Sequence, residues 1–349
     1  MAKLILSTGN IVSGGPSIIR KPGAYRSNLE LTNSLRSNFL AAQEEYGSAA
    51  PAPGTNGTSN GNGYDSDSGI DSPKRTPISA WVSQEDDTIY VPRIDWSAAG
   101  LQEEPSQYEV TVKLFFLPTA SVKDRAQYAS EALDLVLKEL RIPRVDLLIV
   151  SFPGMSFEGD CEWEADKMNA SQGNDEEELM TWAMLEPFVT EKSLVKDLGI
   201  AEFGSEKLSR FLGQVKVRPT VDQINIKNCC NVPPPLVKLA KEQGIELLVH
   251  SDCTDILPKG TLRELLGHGI RGAGLLADAP KNAPQKEDDN GRQSKRQRLS
   301  SPAGSERDGV DGGLQGDLTP QWVVKYTAVV KDRGVIENKG YFAGAELRG

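Results

Sequence analysis

The side chains with the most distinctive chemistry in this 349-residue chain are four cysteines and two histidines. Cys229 and Cys230 are adjacent, in a predicted turn after a strand, where loops often expose functional side chains. Neighbouring cysteines rarely bond to each other, because their side chains diverge. If either is oxidised, its partner is Cys253, which follows the next predicted strand, or a cysteine of another chain. The alternative is that one of the pair is buried as a small apolar residue.

These residues indicate neither a metal site nor an imidazole base. The cysteines do not form the two Cys-x-x-Cys pairs that bind structural zinc, and they are too few for a disulfide scaffold. The histidines, His250 and His268, leave few candidates for a general base. His250 ends a predicted strand, and we interpret it as a strand-end residue rather than a ligand or a base.

Short apolar runs alternate with amphipathic segments from Glu109 onward, which predicts repeated βα units and a parallel sheet. Pro187 should kink or divide the longest predicted helix. A closed barrel and an open doubly wound sheet both fit this alternation. We favour the barrel, because Ser13–Pro16 lacks the Gly-x-Gly-x-x-Gly spacing of a dinucleotide-binding sheet. The predicted strands are 110–116, 145–150, 198–203, 222–226 and 245–250, and the predicted helices are 129–140, 176–196, 205–212 and 234–243.

The composition indicates a globular protein whose partners are neither nucleic acids nor membranes. The net charge is −10, which disfavours a nucleic-acid-binding surface over the whole chain. The apolar run Leu4–Leu6 is too short for a signal-peptide core or a membrane span. We therefore expect a cytoplasmic protein. The basic run Lys295–Arg298 leaves a minor nuclear pool open, although such runs are usually only solvated charge.

Two stretches rich in Gly, Ser, Pro, Asn and Asp, residues 47–77 and 278–317, have the composition of disordered insertions. They contain Ser72 and Ser301, each followed by proline as in sites of proline-directed phosphorylation. The flanking parts are then an N-terminal part of the barrel over 1–46, the main barrel over 78–277 and a C-terminal helix and tail over 318–349. The helix is predicted from the helical spacing of apolar residues at positions 322, 323, 326, 329 and 330.

Residues 215–252 and 322–342 carry a specific resemblance to a known family. The first segment joins a strand, the Asn228-Cys229-Cys230 turn, a helix opened by Pro-Pro and a Leu-Leu-Val-His strand. The second reads WVVKYTAVVKDRGVIENKGYF. Both resemble the regulatory (modifier) subunit of glutamate–cysteine ligase, with weaker similarity at residues 4–10, 112–116 and 147–153. That family is related to the aldo-keto reductases, so the resemblance implies an aldo-keto-reductase-like (β/α)8 barrel.

The reductases use an Asp, Tyr, Lys and His tetrad with a nicotinamide cofactor, and the resemblance implies that this tetrad is degenerate here. Lys113 matches the reductase lysine, while Gly100 takes the place of the acid tyrosine and Ser151 that of the histidine. Of the residues that hold the nicotinamide, Gln223 alone is retained, and Ala201-Glu202 replaces a Ser-Asn pair. We therefore expect a relict site without a cofactor, and we interpret Lys113 as a strand lysine that points outward.

The resemblance further implies a non-catalytic subunit that binds the catalytic subunit of the ligase as a heterodimer. It implies a higher apparent affinity of the ligase for glutamate and weaker feedback inhibition by glutathione. The alternative is a working NADPH-dependent reductase. For the interface we predict the Cys229–Cys230 loop and the C-terminal tail, where Arg333, Tyr341 and Phe342 are of the types enriched in interface hot spots.

Overall fold

The computed structural model describes residues 2–12, 27–48, 76–226, 231–252, 255–269, 271–277 and 313–348. Ten strands within these ranges form one mixed sheet, in the order β2-β3-β1-β10-β9-β4-β5-β6-β7-β8. The strands are β1 (Ala2–Ser7), β2 (Ser83–Glu85), β3 (Thr88–Val91), β4 (Tyr108–Phe116), β5 (Val145–Ser151), β6 (Val195–Ala201), β7 (Val221–Asn225), β8 (Glu246–His250), β9 (Asp317–Val330) and β10 (Val335–Arg348).

Eight α-helices connect and cover these strands within the described ranges. Five of them follow the parallel strands or their loops and pack mainly on one face of the sheet. The helices are α1 (Ser27–Ser48), α2 (Ile78–Trp81), α3 (Arg125–Leu140), α4 (Glu162–Asn169), α5 (Asp175–Thr190), α6 (Ser205–Leu212), α7 (Pro234–Gln243) and α8 (Thr261–Leu266). No described helix is long and apolar enough to cross a membrane.

The half of the sheet from β4 to β8 is parallel and matches the predicted βα alternation. β4, β5 and β6 are buried on both faces, which explains their nearly continuous apolar sequences. Each predicted strand and helix of this half is present, with ends shifted by a few residues. The predicted helix over 176–196 is shorter, because α5 ends at Thr190, three residues after Pro187, and β6 starts at Val195.

The other half is mainly antiparallel, with only β1 and β3 parallel to each other among the described strands, and it contains the main departure from prediction. β9 and β10 form a hairpin whose turn includes Gly334 at φ 61°, and this hairpin lies between β1 and β4. The predicted C-terminal helix is therefore wrong. In β9, Trp322, Val324 and Tyr326 face one core while Val323 faces the other, so the apolar residues follow a period of two on both faces. The apolar positions that suggested a helix are therefore some of the many apolar positions of a strand that is buried on both faces.

Two cores lie on opposite faces of the sheet, as alternate residues of single strands show. Val112 and Leu114 of β4 join α3 and α5 in one core, whereas Phe115 joins α1 and α8 in the other. The predicted closed (β/α)8 barrel is not confirmed, because the described strand order ends at β2 and β8, which do not pair. An α/β architecture is present. The hairpin supplies antiparallel strands where a barrel of this kind requires parallel ones.

The expected disorder of residues 47–77 and 278–317 concerns mainly positions 49–75 and 278–312, which lie outside the described residues, as do Ser72, Ser301 and Lys295–Arg298. The ends of both stretches are described and contact the fold. Helix α1 continues to Ser48, and the Thr76 hydroxyl donates to the Gln43 carbonyl at 2.8 Å. Leu314 forms a bridge with Leu276, so the second predicted boundary lies too far along the chain.

A charged cluster at the carboxyl ends of the parallel strands

Five charged or titratable side chains meet where the parallel strands end. Lys113 comes from β4, Glu202 directly follows β6, and Lys325 lies in β9. His250 ends β8, and Asp252 comes two residues later. Lys113 and Lys325 are register partners across β4 and β9, so both point to the same face of the sheet. We call these five residues the charged cluster. The carboxyl edge of a parallel sheet is where α/β proteins usually place a site.

Asp252 is the centre of the charged cluster. Its Oδ2 lies 3.1 Å from Lys113 Nζ, and its Oδ1 lies 2.8 Å from Lys325 Nζ. The main chain at Asp252 is also fixed, because Asn225 Nδ2 donates to its carbonyl at 2.8 Å. Lys113 is buried, whereas the Lys325 side chain remains 23% exposed. One carboxylate thus pairs with two amines, and Lys325 connects the group to solvent.

His250 links Asp252 and Lys113 to Glu202. Its Nδ1 accepts the Asp252 backbone N–H at 3.1 Å and lies 3.4 Å from Lys113 Nζ. A neutral ring that accepts at Nδ1 carries its proton on Nε2. Nε2 lies 2.7 Å from Glu202 Oε1, although the ring N–H is not aligned for a hydrogen bond with that oxygen. Glu202 is itself held at φ 65°, and its Oε2 accepts the Asn225 N–H at 3.2 Å.

Burial and neighbouring charge shift the proton affinities of this group. Burial lowers the pKa of the Lys113 amine below its ordinary value, against the attraction of Asp252 and Glu202. Burial acts to raise the pKa of Asp252, but the attraction of Lys113 and Lys325 outweighs it and holds this pKa below its ordinary range. Asp252 therefore remains a carboxylate, because two amines share it.

A second buried acid lies in β7, between β6 and β8, on the face of the sheet opposite to the charged cluster. Asp222 of β7 is fully buried, and its Oδ1 accepts the Phe203 N–H at 3.4 Å, while Oδ2 has no hydrogen-bond partner among the described residues. Burial raises the pKa of this carboxyl well above its ordinary value, and the charge of Glu202 adds to the effect. Asp222 is thus a buried acid that favours its neutral form.

The structure separates most of the residues assigned to the relict tetrad. Lys113 is buried, which corrects the prediction of a strand lysine that points outward. Gly100 donates its N–H to the Glu139 carbonyl at 2.8 Å, at the end of α3 that leads to the amino edge of the parallel strands. It is therefore not beside Lys113. Ser151 ends β5 opposite Phe115, and Gln223 of β7 lies between Ala201 and Leu248.

No phenol contacts the Lys113 amine, whose hydrogen-bond partners in the described chain are Asp252 and His250. Tyr341 shares a row with Lys325 across β9 and β10, but its hydroxyl donates to Glu30 Oε1 at 2.7 Å. Sequence reasoning did not find Asp252 or Lys325 and set His250 aside. A lysine inside the apolar run of β9 was the available signal for Lys325, since buried lysines are rare unless paired.

The residues predicted to contact a partner have different outcomes. Tyr341 and Phe342 are buried in β10, so the prediction that they contact a partner is wrong for this fold. Arg333 lies in the exposed hairpin turn and pairs with Glu103. Cys229, Cys230 and Cys253 lie outside the described residues. Cys161 is described and exposed, and the described ranges contain no group of three or more His, Cys, Asp or Glu residues that could hold a metal ion.

No protein-family model matches the sequence. Comparison with individual proteins finds similarity to the regulatory subunits of glutamate–cysteine ligase and, over a shorter part of the chain, to aldo-keto reductases. The glutamate–cysteine ligase regulatory subunit of mouse is 25% identical over 248 residues, which cover 71% of this chain and 69% of the mouse protein. The human regulatory subunit is 24% identical over the same shares. The predicted resemblance to the regulatory subunits of glutamate–cysteine ligase is confirmed.

Aldo-keto reductases are more distant from this regulatory-subunit-like chain. One from the silkworm Bombyx mori is 23% identical over 163 residues, which cover 46% of this chain and 49% of the reductase. A silkworm reductase structure in complex with NADP aligns over 40% of each chain with a TM-score of 0.29. An aldose reductase from Schistosoma japonicum, 25% identical, aligns over 37% of this chain and 42% of its own with a TM-score of 0.27. Scores this low do not establish a shared fold.

Proposed function

We propose that this chain is a non-catalytic regulatory subunit that binds the catalytic subunit of glutamate–cysteine ligase as a cytoplasmic heterodimer. The observation that carries this proposal is the similarity to the mouse and human regulatory subunits across 71% of the chain. Binding raises the apparent affinity of the ligase for glutamate and weakens feedback inhibition by glutathione. Both effects require that this chain bind one conformation of the ligase better than another.

The geometry of the charged cluster supports a non-catalytic role. The Lys113 amine pairs with Asp252 and contacts no phenol of the described residues, so within them it lacks a partner through which it could assist proton donation to a carbonyl. Ser151 at the end of β5 offers no imidazole. The charged cluster instead connects strands β4, β8 and β9 through one buried carboxylate, which is a structural arrangement.

The test measures the kinetics of the purified catalytic subunit with and without this chain. We expect a lower KM for glutamate and a higher inhibitory concentration of glutathione when the chain is added, together with a 1:1 complex in size-exclusion chromatography. Asp222→Asn is the control variant, because Asp222 is fully buried and its substitution leaves the surface unchanged. It should change the kinetics of the ligase as much as the wild type does. Unchanged kinetics at saturating amounts of a folded chain would rule the proposal out.

The alternative function is an NADPH-dependent aldo-keto reductase. It is favoured by a buried lysine and histidine at the carboxyl edge of five parallel strands, and by the similarity to the silkworm reductase. The residues fit the cofactor poorly. Gln223 offers a buried Oε1 without a hydrogen-bond partner among the described residues, but the Glu202 carboxylate is already engaged by Asn225 and lies against His250. NADPH consumption with small aldehydes that is abolished by Lys113→Met would establish this alternative.

A further inference from the structure

Trp163 of α4 differs from the buried tryptophans of this chain. Its side chain is 56% exposed, whereas Trp81, Trp182 and Trp322 are at most 1% exposed. Exposed aliphatic residues are common on protein surfaces, but a largely exposed tryptophan leaves an unusually large apolar area in water. Tryptophan is also among the residues that contribute most to binding energy in protein interfaces.

The opposite side of α4 is firmly attached to the protein. Asp166 Oδ1 accepts the Ser205 N–H at 2.6 Å, and Asn169 Nδ2 donates to the carbonyls of Glu202 at 2.7 Å and Ser156 at 2.8 Å. Ala165, which precedes Asp166 on the same side, is fully buried. The helix is therefore held in one orientation, and little conformational entropy remains to be lost when its outer side binds a partner.

The outer side of α4 combines apolar area with negative charge. Trp163, Glu164, Lys167 and Met168 occupy one continuous exposed arc, since they are spaced by one, four and five residues along the helix. Met168 is 49% exposed. Asp160 is exposed just before the helix and donates its N–H to Glu164, so these two acidic groups outnumber the single lysine of this side.

We propose that this surface, formed by Asp160, Trp163, Glu164 and Met168, docks on the catalytic subunit of the ligase, in an apolar groove bordered by lysine or arginine. The proposal rests on the proposed function. Basic residues complement the acidic side chains, and an arginine or lysine can also lie over the tryptophan ring. A second copy of this chain is disfavoured as the occupant, because two acidic surfaces of the same kind repel each other.

Trp163→Ala tests the apolar part of the proposed surface. Leu40→Ala is the matched control, because Leu40 is 54% exposed on α1, a helix that packs on the other face of the sheet. Each variant is made in the full chain, and its affinity for the catalytic subunit is measured by titration. We expect Trp163→Ala to weaken binding at least tenfold with an unchanged melting temperature, and Leu40→Ala to bind like the wild type. Equal affinities of these two folded variants would overturn the proposal.

The double variant Asp160→Lys, Glu164→Gln tests the charge. The glutamine retains an oxygen for the Asp160 N–H, which Glu164 Oε2 accepts at 3.2 Å. We expect slower association, and a wild-type affinity that falls with added salt while the variant's changes less. Tighter binding of the variant would contradict a basic partner. If the wild type itself neither binds nor activates the ligase, the proposed function fails. Self-association lost in Trp163→Ala would instead identify a second copy as the occupant.

Discussion

The two halves of the sheet bury polar groups in different ways. The parallel half, β4 to β8, concentrates charges at its carboxyl edge, where Asp252 pairs with Lys113 and with the adjoining Lys325 of β9. The antiparallel half, β1 with β9 and β10, buries aromatic rings on both faces and joins their hydroxyls to carboxylates, as in Tyr341 with Glu30 at 2.7 Å. The stability of the first half therefore depends on keeping its buried charges paired, while the stability of the second half depends mainly on the apolar area that it buries.

The antiparallel half should be the more sensitive to loss of a whole element. Deleting residues 334–349 removes β10, which pairs with both β1 and β9 and buries Phe342 and Tyr341. We expect no cooperative thermal transition, because losing a central strand exceeds the total stability of about 5–15 kcal/mol typical of a domain. Val335→Ala, at an exposed position of the same strand, should change stability by less than about 0.5 kcal/mol. A truncated chain that still melts cooperatively would show that the halves fold independently.

The parallel half should be most sensitive at Asp252. Asp252→Ala leaves Lys113 buried without its counter-ion and beside a second amine, and breaking a buried pair in this way costs about 3–5 kcal/mol. Urea unfolding measures the effect. Glu264→Ala, which breaks the exposed pair with Arg36, should cost at most about 1 kcal/mol. The double variant Asp252→Ala, Lys113→Met should recover part of the loss, and no recovery would show that the carboxylate acts through something other than Lys113.

The parallel half was foreseen from the sequence because its signals are local. Each predicted strand from 145 to 226 is a short segment followed by its own predicted helix, so the local alternation locates it. The antiparallel half depends on partners far apart in the chain, since Ala2 pairs with Leu347. Lys325 and Asp252 meet for the same reason: 73 residues separate them, and no spacing in the sequence records the contact.

The two buried aspartates of the parallel half should give opposite pH dependence. The pKa of Asp252 is lowered in the fold, so its stabilisation is present above the unfolded pKa of about 4 and is lost as the pH falls through the folded value. The pKa of Asp222 is raised in the fold, so this residue lowers the free energy of unfolding when it must ionise. The loss is absent below about pH 4 and grows as the pH rises from there to the folded pKa.

Asp222→Asn should therefore increase the free energy of unfolding at neutral pH and have little effect at about pH 3, where the acid is neutral in both states. The asparagine oxygen can still accept the Phe203 N–H. Urea unfolding at the two pH values checks this difference. A variant less stable than the wild type at neutral pH would mean that the ionised carboxylate is preferred at this position.

The smallest effect on stability is expected at Arg333, in the turn of the antiparallel hairpin. Its pair with Glu103 is exposed on the arginine side, and pairs of this kind contribute about 0–1 kcal/mol, because water and salt screen them. Arg333→Ala should leave the melting temperature within about 2 °C of the wild type. This makes Arg333 the one residue of the predicted tail interface that remains testable without disturbing the core. If Arg333→Ala weakens ligase binding as strongly as Trp163→Ala, the interface includes the hairpin turn. If binding is unchanged, the side chain of Arg333 takes no part in the interface, and the α4 surface and the predicted Cys229–Cys230 loop are left as interface candidates.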